Sequence, residues 1–123
     1  MKQICLGIDI IEIQRIRQAI SVWGDRFLRR IYTEKEIELC GGRLESLAVR
    51  FAAKEAVFKA LSQPGKYLSW KNIEILSGEG GKPVLVLSGN ALSCFKEREM
   101  ESLEISLSHS RENAIAIVMG LTE

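Results

Sequence analysis

Hydrophobic and polar positions along this chain alternate with two different periods, and the changes of period divide it into strands and helices. Residues 3–13 follow a period of two and are apolar on nearly both faces, so we expect them to form a covered, central strand. Residues 14–21 and 25–31 follow a helical period, broken at Gly24. In chain order the pattern predicts strand 3–13, helices 14–21, 25–31, 34–40 and 44–62, strands 72–76 and 83–87, helix 90–100, and strands 103–109 and 114–120.

Turn signals separate these segments. Thr33 followed by Glu36 has the spacing of a capping box, and glycines 41 and 42 end the same helix. Residues 63–65 close the long helix, and the glycine-rich residues 77–82 connect two short strands as a hairpin. The order of elements predicts an α+β fold, with a mostly antiparallel sheet packed against one long helix and several short helices.

Length and composition limit the class of protein. The chain has 123 residues, of which 46% are hydrophobic and 27% charged, so we expect residues 1–123 to form a single globular domain. This composition argues against disorder. The longest apolar runs are far shorter than a bilayer requires, and the start of the chain shows no signal-peptide pattern. The net charge of +1 argues against a general nucleic-acid binder.

Cysteine and histidine usage excludes several kinds of site. The three cysteines include no Cys-x-x-Cys pair, which argues against thioredoxin-like chemistry and zinc ribbons. Reduced thiols in the cytoplasm are the simple interpretation. His109 is the single histidine, and it ends a predicted strand in the apolar phase, where a lone histidine is more often a core residue than a catalyst. No Gly-x-Ser-x-Gly elbow is present, so a serine hydrolase is not expected.

The long helix carries charges among apolar residues. Its apolar positions cover nearly the whole circumference, which is typical of a helix buried in a core or between subunits. Glu55 lies in the middle of an apolar stripe, with Lys59 beside it. A surface ion pair between these residues, which are four positions apart, is one interpretation. In a buried helix, however, the carboxylate needs a cation or strong hydrogen bonds, since an isolated buried charge is unfavourable.

Asp9 presents the same problem in the first predicted strand, where it lies between two isoleucines. A carboxylate capping a nearby turn is the structural alternative to a functional role. Two such carboxylates on separate elements favour a shared hard cation such as Mg²⁺, which carboxylates, water and substrate phosphates hold. A phosphate-bearing substrate follows, and Arg50, Lys54 and Lys59 on the long helix are suited to its negative charge.

A cluster of arginines stands out in residues 14–32, which hold five arginines against one aspartate, a local charge of +4. A solvated helical face is the ordinary explanation of such a cluster. The functional alternative is a docking surface for an acidic partner, since arginine recognises carboxylates and phosphates well. The five are Arg15, Arg17, Arg26, Arg29 and Arg30.

Two motifs together resemble the small, single-domain phosphopantetheinyl transferases of the holo-acyl-carrier-protein synthase family. Residues 7–10 (GIDI), followed by Glu12 and Arg15, resemble the family's Gly-hydrophobic-Asp opening. Residues 50–60 (RFAAKEAVFKA) closely match its Phe-Ala-x-Lys-Glu-Ala-x-x-Lys signature, and residues 81–83 (GKP) and 106–110 (SLSHS) also fit. The resemblance spans essentially the whole chain. It departs at residues 62–65 (SQPG), where family members often have a Gly-Thr-Gly-like turn.

The resemblance implies transfer of the 4′-phosphopantetheine arm of coenzyme A to a serine of apo acyl carrier protein, with release of adenosine 3′,5′-bisphosphate, in fatty acid biosynthesis. It implies that Asp9 and Glu55 hold Mg²⁺, and that Lys59 stabilises the phosphoryl oxygens or assists deprotonation. A water on the metal, activated by Glu55, is the alternative base, so Glu55 and Lys59 are the catalytic candidates. The implied coenzyme A site comprises Arg50, Lys54, Lys59, Gly81, Lys82, Pro83, Ser108 and His109.

The resemblance also implies partners. The acidic acyl carrier protein would meet the arginine cluster, and the chain would form a homotrimer with active sites between subunits, without nucleic acid or membrane. Two other functions stay open at this point. One is a non-catalytic oligomeric module that docks an acidic protein through Arg15, Arg17 and their neighbours, whatever the Mg²⁺ or coenzyme A concentration. The other is a different Mg²⁺ enzyme that acts on a nucleotide phosphodiester.

Overall fold

The computed structural model describes residues 1–63, 65 and 67–123. The predicted order of elements is confirmed, with bounds that shift by a few residues. The predicted closure of the long helix at residues 63–65 includes Pro64, which lies outside the described residues. The elements are β1 (Ile4–Glu12), α1 (Ile13–Trp23), α2 (Asp25–Ile31), α3 (Glu34–Cys40), α4 (Leu44–Leu61), β2 (Ile73–Ser77), β3 (Pro83–Leu87), α5 (Gly89–Glu97), β4 (Met100–His109) and β5 (Asn113–Thr122), with 3₁₀ turns at Trp70–Asn72 and Glu79–Gly81.

Within the described residues, the strands form two antiparallel sheets. The larger has the order β1-β5-β4, and the smaller is the hairpin β2-β3. The register of the larger sheet places Asp9 opposite Ala116, and Ala116 opposite Leu107 on the other side. The predicted α+β class is confirmed, although the strands divide between two sheets.

The prediction that the first strand is central and covered on both faces is wrong. β5 is the central strand of its sheet, and β1 lies at an edge. The inner face of β1 is covered by α4, but Leu6 and Ile8 on its outer face are 63% and 53% exposed. Their cross-strand partners Met119 and Ile117 are exposed as well. The apolar pattern on both faces is real, but within one chain only the inner face is covered.

α4 is the centre of the core. It packs against the inner face of β1 and β5 through short side chains, and Ala52, Ala53 and Ala56 have no exposed surface. Because alanine adds little bulk, the helix lies close to the sheet. The sequence left open whether this apolar helix is buried within one chain or between subunits, and the structure places it in the core of one chain.

The capping box at α3 forms as predicted. The Thr33 hydroxyl oxygen accepts a hydrogen bond from the Glu36 amide at 3.2 Å, and a Glu36 carboxylate oxygen accepts from the Thr33 amide at 3.0 Å. Gly41 ends the helix in the left-handed conformation with φ of 56°. In the part of the chain that the structure describes, no helix is both long and apolar enough to cross a membrane.

Candidate active site

The structure brings Asp9, Glu55 and Lys59 together where β1 crosses α4. Asp9 lies on the inner face of β1, with its side chain 19% exposed, and Glu55 is half-buried on α4. The Lys59 ammonium donates to the carbonyl oxygen of Ile8 at 2.8 Å and to Asp9 Oδ1 at 3.3 Å. We call these three residues the open cluster, since the Lys59 side chain remains 54% exposed.

The two carboxylates of the open cluster affect one another electrostatically. Burial raises the pKa of Glu55, and the negative charge of Asp9 raises it further, while the Lys59 ammonium opposes the shift. Lys59 therefore opposes the charge of both carboxylates, and the pKa of Glu55 still stays raised.

The donor set of the open cluster fits a hard divalent cation. Carboxylate oxygens are typical Mg²⁺ ligands, and such sites usually hold one or two carboxylates with water and substrate phosphates as the remaining ligands. Among the described residues, no group of three or more His, Cys, Asp or Glu side chains gathers as a complete protein cage. The pair at residues 9 and 55 supplies the two carboxylates that a site of this kind uses.

The prediction that Lys54 binds coenzyme A is wrong. Its side chain has no exposed surface, and its ammonium donates to Glu36 Oε1 at 2.7 Å and to the carbonyl oxygens of Trp70 and Ile73. All three ammonium protons are thus used inside the protein. Burial lowers the pKa of Lys54, and the negative charge of Glu36 opposes that shift. The partner Glu36 was not found from sequence, because its capping-box role already explained it.

Arg50 lies on a different side of α4 from the open cluster. It precedes Glu55 by five residues, which is a rotation of about 140° around the helix. Its guanidinium is nearly buried and donates to the carbonyl oxygen of Ile75 at 2.8 Å and to the Ser77 hydroxyl at 3.3 Å. Ser77 pairs with Pro83 in the β2-β3 hairpin. Arg50 therefore shares one end of the small sheet with the predicted coenzyme A residues Gly81, Lys82 and Pro83.

Ser108 and His109 lie in a third place, at the end of β4. Both are exposed, and His109 Nδ1 lies 3.3 Å from the Ser110 carbonyl oxygen. β5 separates β4 from β1, so the row through His109, Ala114 and Ile11 spans two strand spacings, about 10 Å. One chain thus distributes the predicted site residues over three separate places.

The five arginines of the predicted docking surface are all exposed on α1 and α2. Arg15 lies 3.6 Å from Glu12, and Arg29 lies 3.7 Å from Glu34, both as solvent-exposed ion pairs. We call Arg15, Arg17, Arg26, Arg29 and Arg30 the arginine surface.

A groove beside the arginine surface was not predicted. It has a volume of about 540 Å³, and Arg26 and Arg30 lie among its lining residues. Phe51 and Trp70, stacked with ring centroids 5.0 Å apart, form part of its wall. Trp23 also lines the groove and is 58% exposed. The available sequence signal was the position of Trp23 between Arg17 and Arg26 in the chain.

Comparison with known proteins identifies the family of the chain. Residues 5–118 match the model of the 4′-phosphopantetheinyl transferase superfamily. A holo-[acyl-carrier-protein] synthase of Dehalococcoides mccartyi is 52% identical over 114 residues, covering 93% of this chain and 95% of that protein. The enzyme of the same name from Halothermothrix orenii is 44% identical over 118 residues, covering 94% of each.

Solved structures extend the comparison. The crystal structure of Helicobacter pylori holo-[acyl-carrier-protein] synthase in complex with coenzyme A superposes with a TM-score of 0.82 at 38% identity, covering 92% of this chain and 96% of that one. The chain therefore belongs to the 4′-phosphopantetheinyl transferase superfamily and, within it, to the holo-acyl-carrier-protein synthase family of enzymes.

Proposed function

We propose that this enzyme transfers the 4′-phosphopantetheine arm of coenzyme A to a serine of an apo acyl carrier protein in a Mg²⁺-dependent reaction. The serine oxygen forms a bond to the phosphorus on the pantetheine side of the diphosphate. The bond from that phosphorus to adenosine 3′,5′-bisphosphate breaks, and the serine proton passes to a base. The observation that carries the proposal is the open cluster, which places two carboxylates and a lysine at one accessible point. A role in fatty acid biosynthesis follows from the substrate class.

The residues of the open cluster have two different proposed roles. Asp9 and Glu55 would hold Mg²⁺, which supplies charge neutralisation for the coenzyme A diphosphate. Lys59 is held beside Asp9 while its side chain stays half-exposed, so its ammonium is available to the phosphoryl oxygens. Stabilising the charge that develops on those oxygens is the role we assign to it.

The arginine surface is the proposed docking place for the acidic carrier protein. Five exposed guanidinium groups complement negative charge, and the groove offers Trp23, Phe51 and Trp70 to an apolar side chain of the partner. Double charge reversal, Arg26→Glu with Arg30→Glu, is expected to raise the KM for carrier protein at least tenfold and leave coenzyme A affinity within twofold of wild type. An unchanged KM for the carrier would contradict this assignment.

We further propose a homotrimer that joins the three separate groups of site residues from neighbouring copies. The support is the outer face of the large sheet, where apolar side chains in register are exposed. Leu6→Asp is expected to yield monomers in analytical ultracentrifugation, whereas Val22→Asp, at an equally exposed apolar position of α1, leaves the trimer intact. The outer face consists of Ile4, Leu6, Ile8, Ile10, Ile117 and Met119.

A cytoplasmic location belongs to the same proposal. Among the described residues all three cysteines are free thiols, and two of them are buried, as expected where thiols stay reduced.

Mass spectrometry of an apo carrier protein tests the reaction. Incubation with this enzyme, coenzyme A and Mg²⁺ is expected to add one phosphopantetheine group, and chelation of the metal is expected to prevent the addition. Asp9→Ala and Glu55→Ala should each lose at least 100-fold in rate, whereas Glu45→Ala, a carboxylate in the first turn of α4, should not. Carrier binding without any transfer, under conditions where a known transferase works, would favour the non-catalytic docking module instead.

A further inference from the structure

Gly7 lies on the inner face of β1, directly against the backbone of α4. A Cβ atom at this position would lie 1.8 Å from the carbonyl oxygen of Ala56 and 3.2 Å from the amide nitrogen of Ala60. Both are backbone atoms, so no side-chain rotation relieves the overlap. Any larger residue at position 7 therefore forces the strand and the helix apart.

This close contact adjoins the open cluster on both elements. Asp9 follows Gly7 by two residues, which puts it on the same face of β1 about 7 Å further along. Glu55 immediately precedes Ala56 on α4. The contact at Gly7 therefore lies next to both carboxylates, two residues from Asp9 on the strand and one residue from Glu55 on the helix.

The hydrogen bonds of the open cluster lie beside the same contact. Lys59 reaches from α4 to the Ile8 carbonyl oxygen at 2.8 Å, directly between Gly7 and Asp9 in the chain. The same ammonium donates to Asp9 Oδ1 at 3.3 Å. Both hydrogen bonds join α4 to β1 beside Gly7, which also pairs with Val118 of β5 in the sheet.

We propose that Gly7 is a positioning residue for the acidic pair: the close approach that only glycine permits here fixes the separation of the Asp9 and Glu55 carboxylates, and with it their affinity for a divalent cation. This inference rests on the proposed function, in which that pair holds Mg²⁺. Gly7 itself touches neither cation nor substrate.

Binding of Mn²⁺, an ion that prefers the same oxygen ligands, tests the inference independently of turnover. Loss of the free-ion electron paramagnetic resonance signal measures the Kd for Mn²⁺, with and without coenzyme A. Gly7→Ala is expected to raise the Kd at least tenfold. The control is Gly120→Ala, whose added Cβ would meet the flexible end of the Met100 side chain rather than the backbone of α4; it should keep the Kd within twofold.

Asp9→Ala distinguishes failure of the proposed metal site from failure of the proposed role of Gly7. A wild-type Kd in Asp9→Ala overturns the proposed metal site, and this inference with it. A raised Kd in Asp9→Ala together with a wild-type Kd in folded Gly7→Ala overturns the role of Gly7 alone.

A longer side chain at position 9 distinguishes an effect on the position of the carboxylates from a general loss of structure. Asp9→Glu is expected to raise the Kd for Mn²⁺ in the wild-type background, because the longer side chain overshoots. Added to Gly7→Ala, the same change should lower the Kd at least threefold, since it restores reach across the widened gap. If Gly7→Ala does not fold, Ala60→Val, which enlarges a side chain that is 3% exposed beside the same contact, replaces it. A wild-type Kd in folded Ala60→Val, or a failure of Asp9→Glu to compensate, overturns the inference.

Discussion

Two lysines on α4, five residues apart, each form an ion pair with a carboxylate, one in a buried place and the other in an accessible one. Lys54 and Glu36 lie 2.7 Å apart with no exposed side-chain surface. Lys59 and Asp9 lie 3.3 Å apart, with the lysine half-exposed. The same helix therefore carries one ion pair sealed inside the core and another that is open at its surface.

The balance of charge differs as strongly as the burial. Lys54 has three acceptors for its three protons, and Glu36 also accepts from the amide of Ile75 at 3.0 Å. The open cluster instead holds two carboxylates against Lys59, and the pKa of Glu55 is raised in consequence of burial and of Asp9. A satisfied buried pair serves the fold, whereas an unbalanced accessible cluster is suited to binding a cation and reacting phosphate.

The largest effect is expected at the buried pair. Lys54→Met removes the cation and leaves the Glu36 carboxylate uncompensated in the core, so the free energy of unfolding should fall by about 3–5 kcal/mol. Urea denaturation measures this change. Lys59→Met is the matched control and should shift the free energy of unfolding by less than about 1 kcal/mol, since the pair is exposed. Equal decreases in the free energy of unfolding of Lys54→Met and Lys59→Met would contradict the different contributions of the two ion pairs to stability.

Loss of Lys59 should affect catalysis strongly even though it affects stability little. Lys59→Met is expected to lower kcat by about 10²–10³-fold, because a charged donor to the transferring phosphoryl group is lost. The rate of carrier-protein modification at saturating coenzyme A and Mg²⁺ gives this value. A folded Lys59→Met enzyme with more than a third of wild-type kcat would show that Lys59 plays no part in the chemistry.

The smallest expected effect concerns Tyr32, whose ring centroid lies 5.8 Å from the Lys54 ammonium. Its buried hydroxyl donates to the Leu47 carbonyl oxygen at 2.7 Å, and burial raises the pKa of Tyr32 far above its ordinary value of 10.0. The unfolded chain therefore releases this proton first as pH rises. Near pH 8, the free energy of unfolding of wild type should be about 1 kcal/mol larger than that of Tyr32→Phe. Above pH 10 this difference should fall by about 1.4 kcal/mol per pH unit.

Urea denaturation of wild type and Tyr32→Phe at about pH 8 and about pH 11 compares the two conditions directly. The comparison between variants cancels the titration of other groups, Lys54 included. A constant difference at both pH values would mean that the Tyr32 hydroxyl is not sealed in the folded state.

Local patterns were enough to predict much of the fold and the elements of the site. The helical period located α4, and the misplaced charges of Asp9 and Glu55 pointed to the strand and helix that the structure brings together. Each of these signals is contained in a short stretch of sequence around the residue concerned. The edge position of β1 was not predicted. The alternation of side chains along a strand shows which residues share a face, but it does not show what covers that face.

Non-local contacts explain the remaining errors. The partner of Lys54 lies eighteen residues upstream in another helix, and nothing near residue 54 identifies it. Phe51 and Trp70 belong to separate elements that meet at the groove only after α4 has packed. The family signature located Lys54 correctly but did not distinguish a lysine that stabilises the core from one that faces substrate.

The carboxylate of Glu36 has an evolutionary consequence. It accepts hydrogen bonds from the Thr33 amide, the Ile75 amide and the Lys54 ammonium, which come from three parts of the chain. An apolar substitution at position 54 is therefore not repaired by a second one at position 36, since two backbone amides would lose their acceptor. Lys54 likewise serves the carbonyl oxygens of Trp70 and Ile73, so positions 36 and 54 are restricted together, and neither side chain can be lost without stranding two backbone groups.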